Sequence, residues 1–149
     1  QKGLLNVKEA TQLMGRWQKI RTTPEVILDV AHNKEGLTLV AKQIKTLSYG
    51  KLHLVMGFVQ GREVQDLLSL FPSSATFYLS SPNLERALPL TQLKEELVNS
   101  PLYIQYFQQV LLAYQSALEE AAPEDLIFVG GSTFVVAEVL EYEKNNSLK

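Results

Sequence analysis

The chain is predicted to fold as one α/β domain whose sheet is mostly parallel and opens with an antiparallel hairpin. Three observations carry this. Val26-Ile27-Leu28 and the stretch from Asp125 to Val129 are apolar without alternation, the pattern of strands covered on both faces. Strand-like and helix-like stretches then follow one another in turn, as in a parallel sheet with crossover helices. Finally, the short turn Thr22-Thr23-Pro24 joins the first two strands, and so short a link makes them an antiparallel pair.

Residues 1–14 offer two readings. Asn6 can cap a short helix through Val7, Ala10 and Leu13, with Glu9 as its capping-box partner. The stretch is then either the tail of a linker from an upstream domain or a frayed first helix. Gly15-Arg16 breaks the pattern, and Trp17 to Arg21 alternate as a half-exposed strand. Pro24 cannot donate to a ladder and marks the turn. Glu25 to Val30 is the buried strand. Asn33 is a good N-cap for a helix whose inner face is Leu37, Val40, Ala41, Ile44 and Leu47. Tyr49-Gly50 ends it.

Leu52 to Phe58 is the next strand, and Arg62 to Phe71 a helix closed by Pro72. Ala75 to Leu79 is a strand, and residues 91–99 are helical through Leu93 and Leu97. Tyr103 to Phe107 reads equally as a short edge strand or an early helix. Val110 to Ala121 is a helix stopped by Pro123. The strand from Asp125 ends at Gly130-Gly131-Ser132, Phe134 to Tyr142 is the last helix, and Lys144 to Lys149 a frayed polar end.

With 149 residues the chain can bury one sizeable core. A formal charge of −2 gives no electrostatic case for nucleic acid or an anionic membrane. There is no cysteine and there are two histidines, which excludes disulfides, thiolate metal sites and a histidine-rich metal cluster. No apolar run is long enough to span a bilayer, and no basic-then-apolar leader stands at the N-terminus, so a cytoplasmic protein is expected. The opening Gln1 in place of Met suggests a piece of a longer protein.

Chemistry is expected where strands end, since ligands of open α/β sheets bind outside the carboxyl ends of the strands. Neither a P-loop nor Gly-x-Gly-x-x-Gly is present, and Asp29-Val30-Ala31-His32 lacks the second acid of an Asp-x-Asp phosphotransferase motif. Asp29 can accept two hydroxyl protons, as a ribose diol requires, or be a solvated or helix-capping acid. His32 can hold a carboxylate or phosphate oxygen, or simply pack. His53 falls within a strand and reads as structural. Arg16 beside a glycine suits phosphate, or is an ordinary surface arginine. Ser132 after Gly130-Gly131 offers a hydroxyl and backbone N–H groups to an anion, or is a helix cap.

Gly15-Arg16-Trp17-Gln18, Leu28-Asp29-Val30-Ala31-His32-Asn33, and Gly130-Gly131-Ser132 with Phe134-Val135-Val136, in this order and spacing, resemble the C-terminal domain of folylpolyglutamate synthase and dihydrofolate synthase, in the Mur ligase superfamily. Pro82-Asn83 and Arg86-Ala87-Leu88-Pro89 are similar to that family's loop after the fourth strand. The resemblance implies a Rossmann-like, three-layer domain over 15–149 that follows an interdomain linker ending in 1–14. It also implies an upstream P-loop ATPase domain, outside this chain, holding most of the folate site and the Mg2+ ligands.

The implied activity is ATP-dependent amide ligation. ATP phosphorylates a folate or pteroate carboxylate, and the amine of glutamate attacks the acyl phosphate. Carried over by position, Arg16 would meet the phosphates of ATP and Asp29 its nucleoside part. His32 and Ser132 would line the glutamate site, with Asn33 and Gly131 behind them. No residue of this domain is expected to be catalytic in itself or to bind metal, and alone it should be inactive. The implied partners are the upstream domain, glutamate and folate or pteroate, with no nucleic acid and no membrane.

Two departures stand out. Lys34 follows His32-Asn33 where the family usually has Pro, and Gln60-Gly61-Arg62-Glu63 replaces a Lys/Asn-Asp-Lys-Asp loop, so that Gly61 stands in place of an acid. Competing readings are a muramoyl-peptide ligase domain and a non-catalytic α/β nucleotide-binding module. The ligase reading makes a geometric demand: Arg16, Asp29, His32 and Ser132 should share one rim of the sheet around a common hollow.

Overall fold

The computed structural model of the protein describes residues 15–147; the linker or helix expected over 1–14 lies outside them. The elements are β1 (Gln18–Thr22), β2 (Glu25–Leu28), α1 (Lys34–Lys45), β3 (Leu52–Gly57), α2 (Val64–Leu68), β4 (Thr76–Ser80), α3 (Leu90–Glu96), β5 (Tyr103–Phe107), α4 (Val110–Glu120), β6 (Leu126–Gly130) and α5 (Thr133–Ser147). The strands form one six-stranded sheet in the order β1-β2-β6-β3-β4-β5. β1 runs antiparallel to β2, and every other neighbouring pair is parallel.

The lack of alternation in the strands now has its cause. Ile27, Leu54, Met56, Phe77, Leu79 and Phe128 pack on one face beneath α1, α2 and α3. Val26, Leu28, Val55, Tyr78, Ile127 and Val129 pack on the other beneath α4 and α5. Both layers are apolar, so successive residues of one strand are buried in opposite directions. Each fully buried Leu or Phe side chain contributes about 1.5–3 kcal/mol.

Several boundaries differ from the sequence expectation, each for a tertiary reason. Trp17 is not in β1: its φ is +48°, and its N–H is taken by the Asp29 carboxylate rather than by a ladder partner. β2 stops at Leu28, two residues early. α2 is only Val64–Leu68, because Leu70 and Phe71 donate back to Leu67 and Leu68 and tighten into a last narrow turn. The ambiguous stretch from Tyr103 is a strand, parallel to β4. The last helix runs on through residues expected to fray. Its later turns are held by Tyr142 edge-on to Tyr114 and by Glu143, which accepts from both Arg21 of β1 and Tyr114 of α4. Burial and the Glu143 hydrogen bond together push the Tyr114 phenol well above its usual range, while that bond in first place raises the Arg21 guanidinium.

α1 begins as its sequence predicts. The Asn33 side chain accepts from the Gly36 N–H at 2.8 Å, and the backbone at Asn33 is extended. Lys34, the first of the two departures, is the opening residue of the helix. Pro is welcome there because no intrahelical bond needs its N–H, so lysine changes nothing in the helix start. Asn33→Ala is expected to lower stability by about 1 kcal/mol. Urea unfolding of the variant checks this, and an unchanged midpoint would show that the cap is redundant.

Candidate functional site on the sheet rim

The site is built by the carboxyl ends of the parallel strands. β6 lies between β2 and β3. The chain leaves β2 and β3 toward the α1–α3 face, where Leu37 and Val64 are packed. It leaves β6 toward the opposite face, where Val135 and Val136 are packed. Chains diverging from adjacent strand ends open a crevice there, the position at which such sheets take ligands.

β1 is antiparallel, so its beginning lies at this same rim: Gln18 pairs with Leu28, and the Gly15 carbonyl accepts the Val30 N–H at 2.7 Å. The register therefore brings Arg16 beside the end of β2, where Asp29 to His32 follow, and places Ser132 at the end of the next strand. Gly130 approaches the Asp29 carbonyl so closely that a Cβ would lie 3.0 Å from it. Gly131 has φ +94° and packs on β3, where a Cβ would meet the Gly57 carbonyl at 2.8 Å. Two consecutive glycines thus let β6 turn sharply between its neighbours and leave Ser132 at the mouth.

The four side chains are held differently. The Asp29 carboxylate accepts the Trp17 N–H at 3.0 Å and the Ala31 N–H at 2.8 Å. Both donors belong to loops, so the acid caps no helix. A carboxylate has about four acceptor positions, so two remain. Ser132 is buried and caps α5: its Oγ accepts the Phe134 N–H at 3.0 Å, and its carbonyl accepts the Val136 N–H. Its own hydroxyl hydrogen is free to donate. His32 is exposed, with Nδ1 3.4 Å from the Val30 carbonyl. Arg16 is exposed, and nothing among the described residues pairs with its guanidinium.

Hollows of about 700 Å³ and 540 Å³ open further along, beyond β4. Asn83, Leu111 and Glu138 line both. None of Arg16, Asp29, His32 or Ser132 lines either one. Sequence reasoning missed Glu138, which accepts the Asn83 N–H at 2.9 Å, because nothing within a long amphipathic helix marks one acid as facing a loop. The second departure is a turn: Gly61 has φ +89°, and Gln60 donates to the Arg86 carbonyl at 2.8 Å. A left-handed position favours glycine over an acid, and the turn ties the loop after β3 to the loop after β4.

Among the described residues no group of three or more His, Asp or Glu side chains is arranged to hold a metal ion, and no helix is long and apolar enough to cross a membrane.

Comparison with known proteins agrees with this architecture. The family described as "Mur ligase, glutamate ligase domain" matches residues 15–133. The dihydrofolate synthase/folylpolyglutamate synthase of Escherichia coli K12 is 32% identical over 132 residues, which are 87% of this chain and 30% of that protein. FolC of E. coli in complex with ADP superposes with a TM-score of 0.79 at 28% identity, covering 91% of this chain and 32% of that one. A bifunctional folylpolyglutamate synthase/dihydrofolate synthase with Mn, AMPPNP and L-glutamate bound superposes with a TM-score of 0.76 at 27% identity, covering 86% of this chain and 31% of the other. The chain spans about a third or less of the length of these relatives. On a match that takes in the hairpin, the rim and the glycine turn, the chain belongs to the Mur ligase family, whose glutamate ligase domain it carries.

Proposed function

We propose that this chain is the C-terminal domain of an ATP-dependent ligase that joins glutamate to a folate or pteroate carboxylate through an acyl phosphate. The observation that carries the reading is the rim itself. A guanidinium unpaired among the described residues, an acid, an imidazole and a helix-capping hydroxyl occupy consecutive strand ends at the point where the chain diverges. The relatives support it: one is named with ADP, another with Mn, AMPPNP and L-glutamate.

In this proposal Arg16 meets the phosphates of ATP and Asp29 serves the nucleoside end. His32 and Ser132 take the carboxylates of glutamate, with Asn33 and Gly131 shaping the backbone behind them. Charge gathers on phosphoryl oxygens in the transition state, and a positioned donor there is worth about 10²–10³ in rate once closure excludes water. Attack of an amine on an acyl phosphate is a problem of orientation, which holding glutamate on a rigid sheet rim addresses. The Mg2+ ligands are placed, as the family resemblance implies, in an upstream ATPase domain. A cytoplasmic setting belongs to the same proposal.

The test uses the full-length protein, upstream domain included. With ATP, Mg2+ and glutamate it is expected to release ADP when pteroate or a folate is supplied, and not with UDP-muramoyl substrates. The isolated domain should show no turnover and only weak nucleotide binding. Turnover on the muramoyl substrate, or none on either, would overturn the assignment.

A further inference from the structure

The larger hollow beyond β4 has a negative wall and a positive one. It holds about 700 Å³, and its lining includes the loop after β4, the start of α4 and, on α5, Glu138. The Asn83 N–H fixes that carboxylate through Oε2 at 2.9 Å, and Oε1 accepts nothing among the described residues. The positive wall is the amino end of α4, at Gln109 and Val110. No side chain caps this helix, and the N–H groups of its first turn have no partner within it. Ser80 supplies a third polar group. It is wholly buried, and its Oγ has no hydrogen-bond partner. Strand alternation turns it, like Tyr78, toward the α4–α5 face, and the next residue, Ser81, lines the hollow. A buried hydroxyl is rarely left unpaired. The remaining wall is apolar at Leu84, Leu90 and Leu111, and no Lys, Arg or His lines the hollow.

We infer that this hollow binds a neutral, apolar α-amino acid, at a site separate from the one assigned to glutamate. The ammonium pairs with Glu138. The carboxylate takes the free N–H groups at the start of α4 and the Ser80 hydroxyl, which thereby gains its missing acceptor. The side chain lies against Leu84, Leu90 and Leu111. An acidic amino acid is disfavoured, because its second carboxylate would leave water without meeting a cation. None of Arg16, Asp29, His32 or Ser132 lines the hollow, so the inference does not depend on the reaction assigned to the rim.

Calorimetric titration of the full-length protein tests this, with L-leucine as the probe. Isoamylamine and isocaproate, which are leucine without its carboxylate and without its amine, serve as controls. Leucine is expected to bind once per chain. Each control should bind at least about 10-fold more weakly, since each lacks one charge-assisted contact. Saturating L-glutamate should leave leucine affinity unchanged. Glu138→Gln keeps the shape of the side chain but not its charge, and should weaken leucine by about 10-fold. Its melting curve checks the fold. Leu111→Trp fills the hollow from another wall and should abolish binding; it stands in if the glutamine variant does not fold. His32→Ala should stay within about twofold of wild type, as expected of a separate site. The inference is overturned if leucine shows no saturable binding in the millimolar range, or if either control binds as well as leucine. Wild-type leucine affinity in the folded Glu138→Gln or Leu111→Trp variant would also overturn it. Displacement by glutamate, or loss of binding in His32→Ala, would put leucine in the glutamate site and refute a second one. Failure of the ligase assay leaves these outcomes readable, since none of them requires turnover.

Discussion

Asp125→Ala is expected to cost the domain about 3–5 kcal/mol, the usual penalty for removing one partner of a buried, hydrogen-bonded carboxylate contact. Asp125 stands just ahead of β6, at the end of the sheet away from the site, and is buried with His53. Its Oδ2 lies 2.9 Å from His53 Nε2 and also accepts the Ala122 N–H at 3.0 Å, while Oδ1 accepts the Lys51 N–H at 2.9 Å. On the other side of the ring, His53 Nδ1 is 2.9 Å from the Tyr78 hydroxyl. That hydroxyl donates to Glu120 at 2.7 Å, so it can only accept from His53. The ring is thus bonded at both nitrogens. Removing the carboxylate would strand that ring and two backbone donors in a closed space.

The same pair sets a pH dependence. Burial alone would raise the Asp125 carboxyl, but the His53 hydrogen bond and the Ala122 and Lys51 N–H groups outweigh it and hold it below its usual value. A depressed acid contributes its full stability above the unfolded value, roughly pH 3.9, and loses it as pH falls through the folded value. Urea titrations of wild type and Asp125→Ala should therefore converge only under strongly acidic conditions. In a thermal melt near neutrality the variant should fall by about 10 °C. A loss under about 1 kcal/mol would show that water or a shifted side chain replaces the carboxylate.

Gly131→Val is expected to cost about 2–5 kcal/mol and to displace Ser132 as well. Two penalties combine. A left-handed conformation costs an L residue roughly 1–2 kcal/mol, and overpacking adds roughly 1–3 kcal/mol. At φ +94° a Cβ would sit 2.8 Å from the Gly57 carbonyl and 3.1 Å from the Phe58 ring. The carbonyl belongs to a central strand paired on both sides and cannot yield. Relief has to come from the turn that carries the hydroxyl assigned to glutamate. Denaturation would show the stability loss, and glutamate titration in the full-length enzyme a raised KM. A variant with wild-type stability and KM would mean that this turn moves freely.

What was legible in the chain follows from which interactions are local. The central strands were legible because burial on both faces leaves a continuous apolar run, as in Val26-Ile27-Leu28. The start of α1 was legible because Asn33 caps it within three residues. The stretch from Tyr103 was ambiguous because β5 is an edge strand, only partly buried, and neither period prevails. The left-handed turn at Trp17 was hidden because its cause lies 12 residues away. The partner of His53, 72 residues distant, was hidden for the same reason. On the rim, strand-end logic found the residue types and their common edge. The hollows beyond β4 were not legible, since where the surface dips depends on loops such as Pro82-Asn83 packing against α5.

The tie between Gly15 and Val30 also has a mechanical meaning. The chain enters the domain at the same end of the sheet that carries Arg16, and six strands spaced by about 4.8 Å put β5 roughly 24 Å from that entry. A swing of about 10° around the entry would shift β5 by about 4 Å and leave the arginine almost in place. The domain is thus a lever with its load beside its fulcrum: rotation about Gly15 becomes large travel at the far margin and little at the guanidinium.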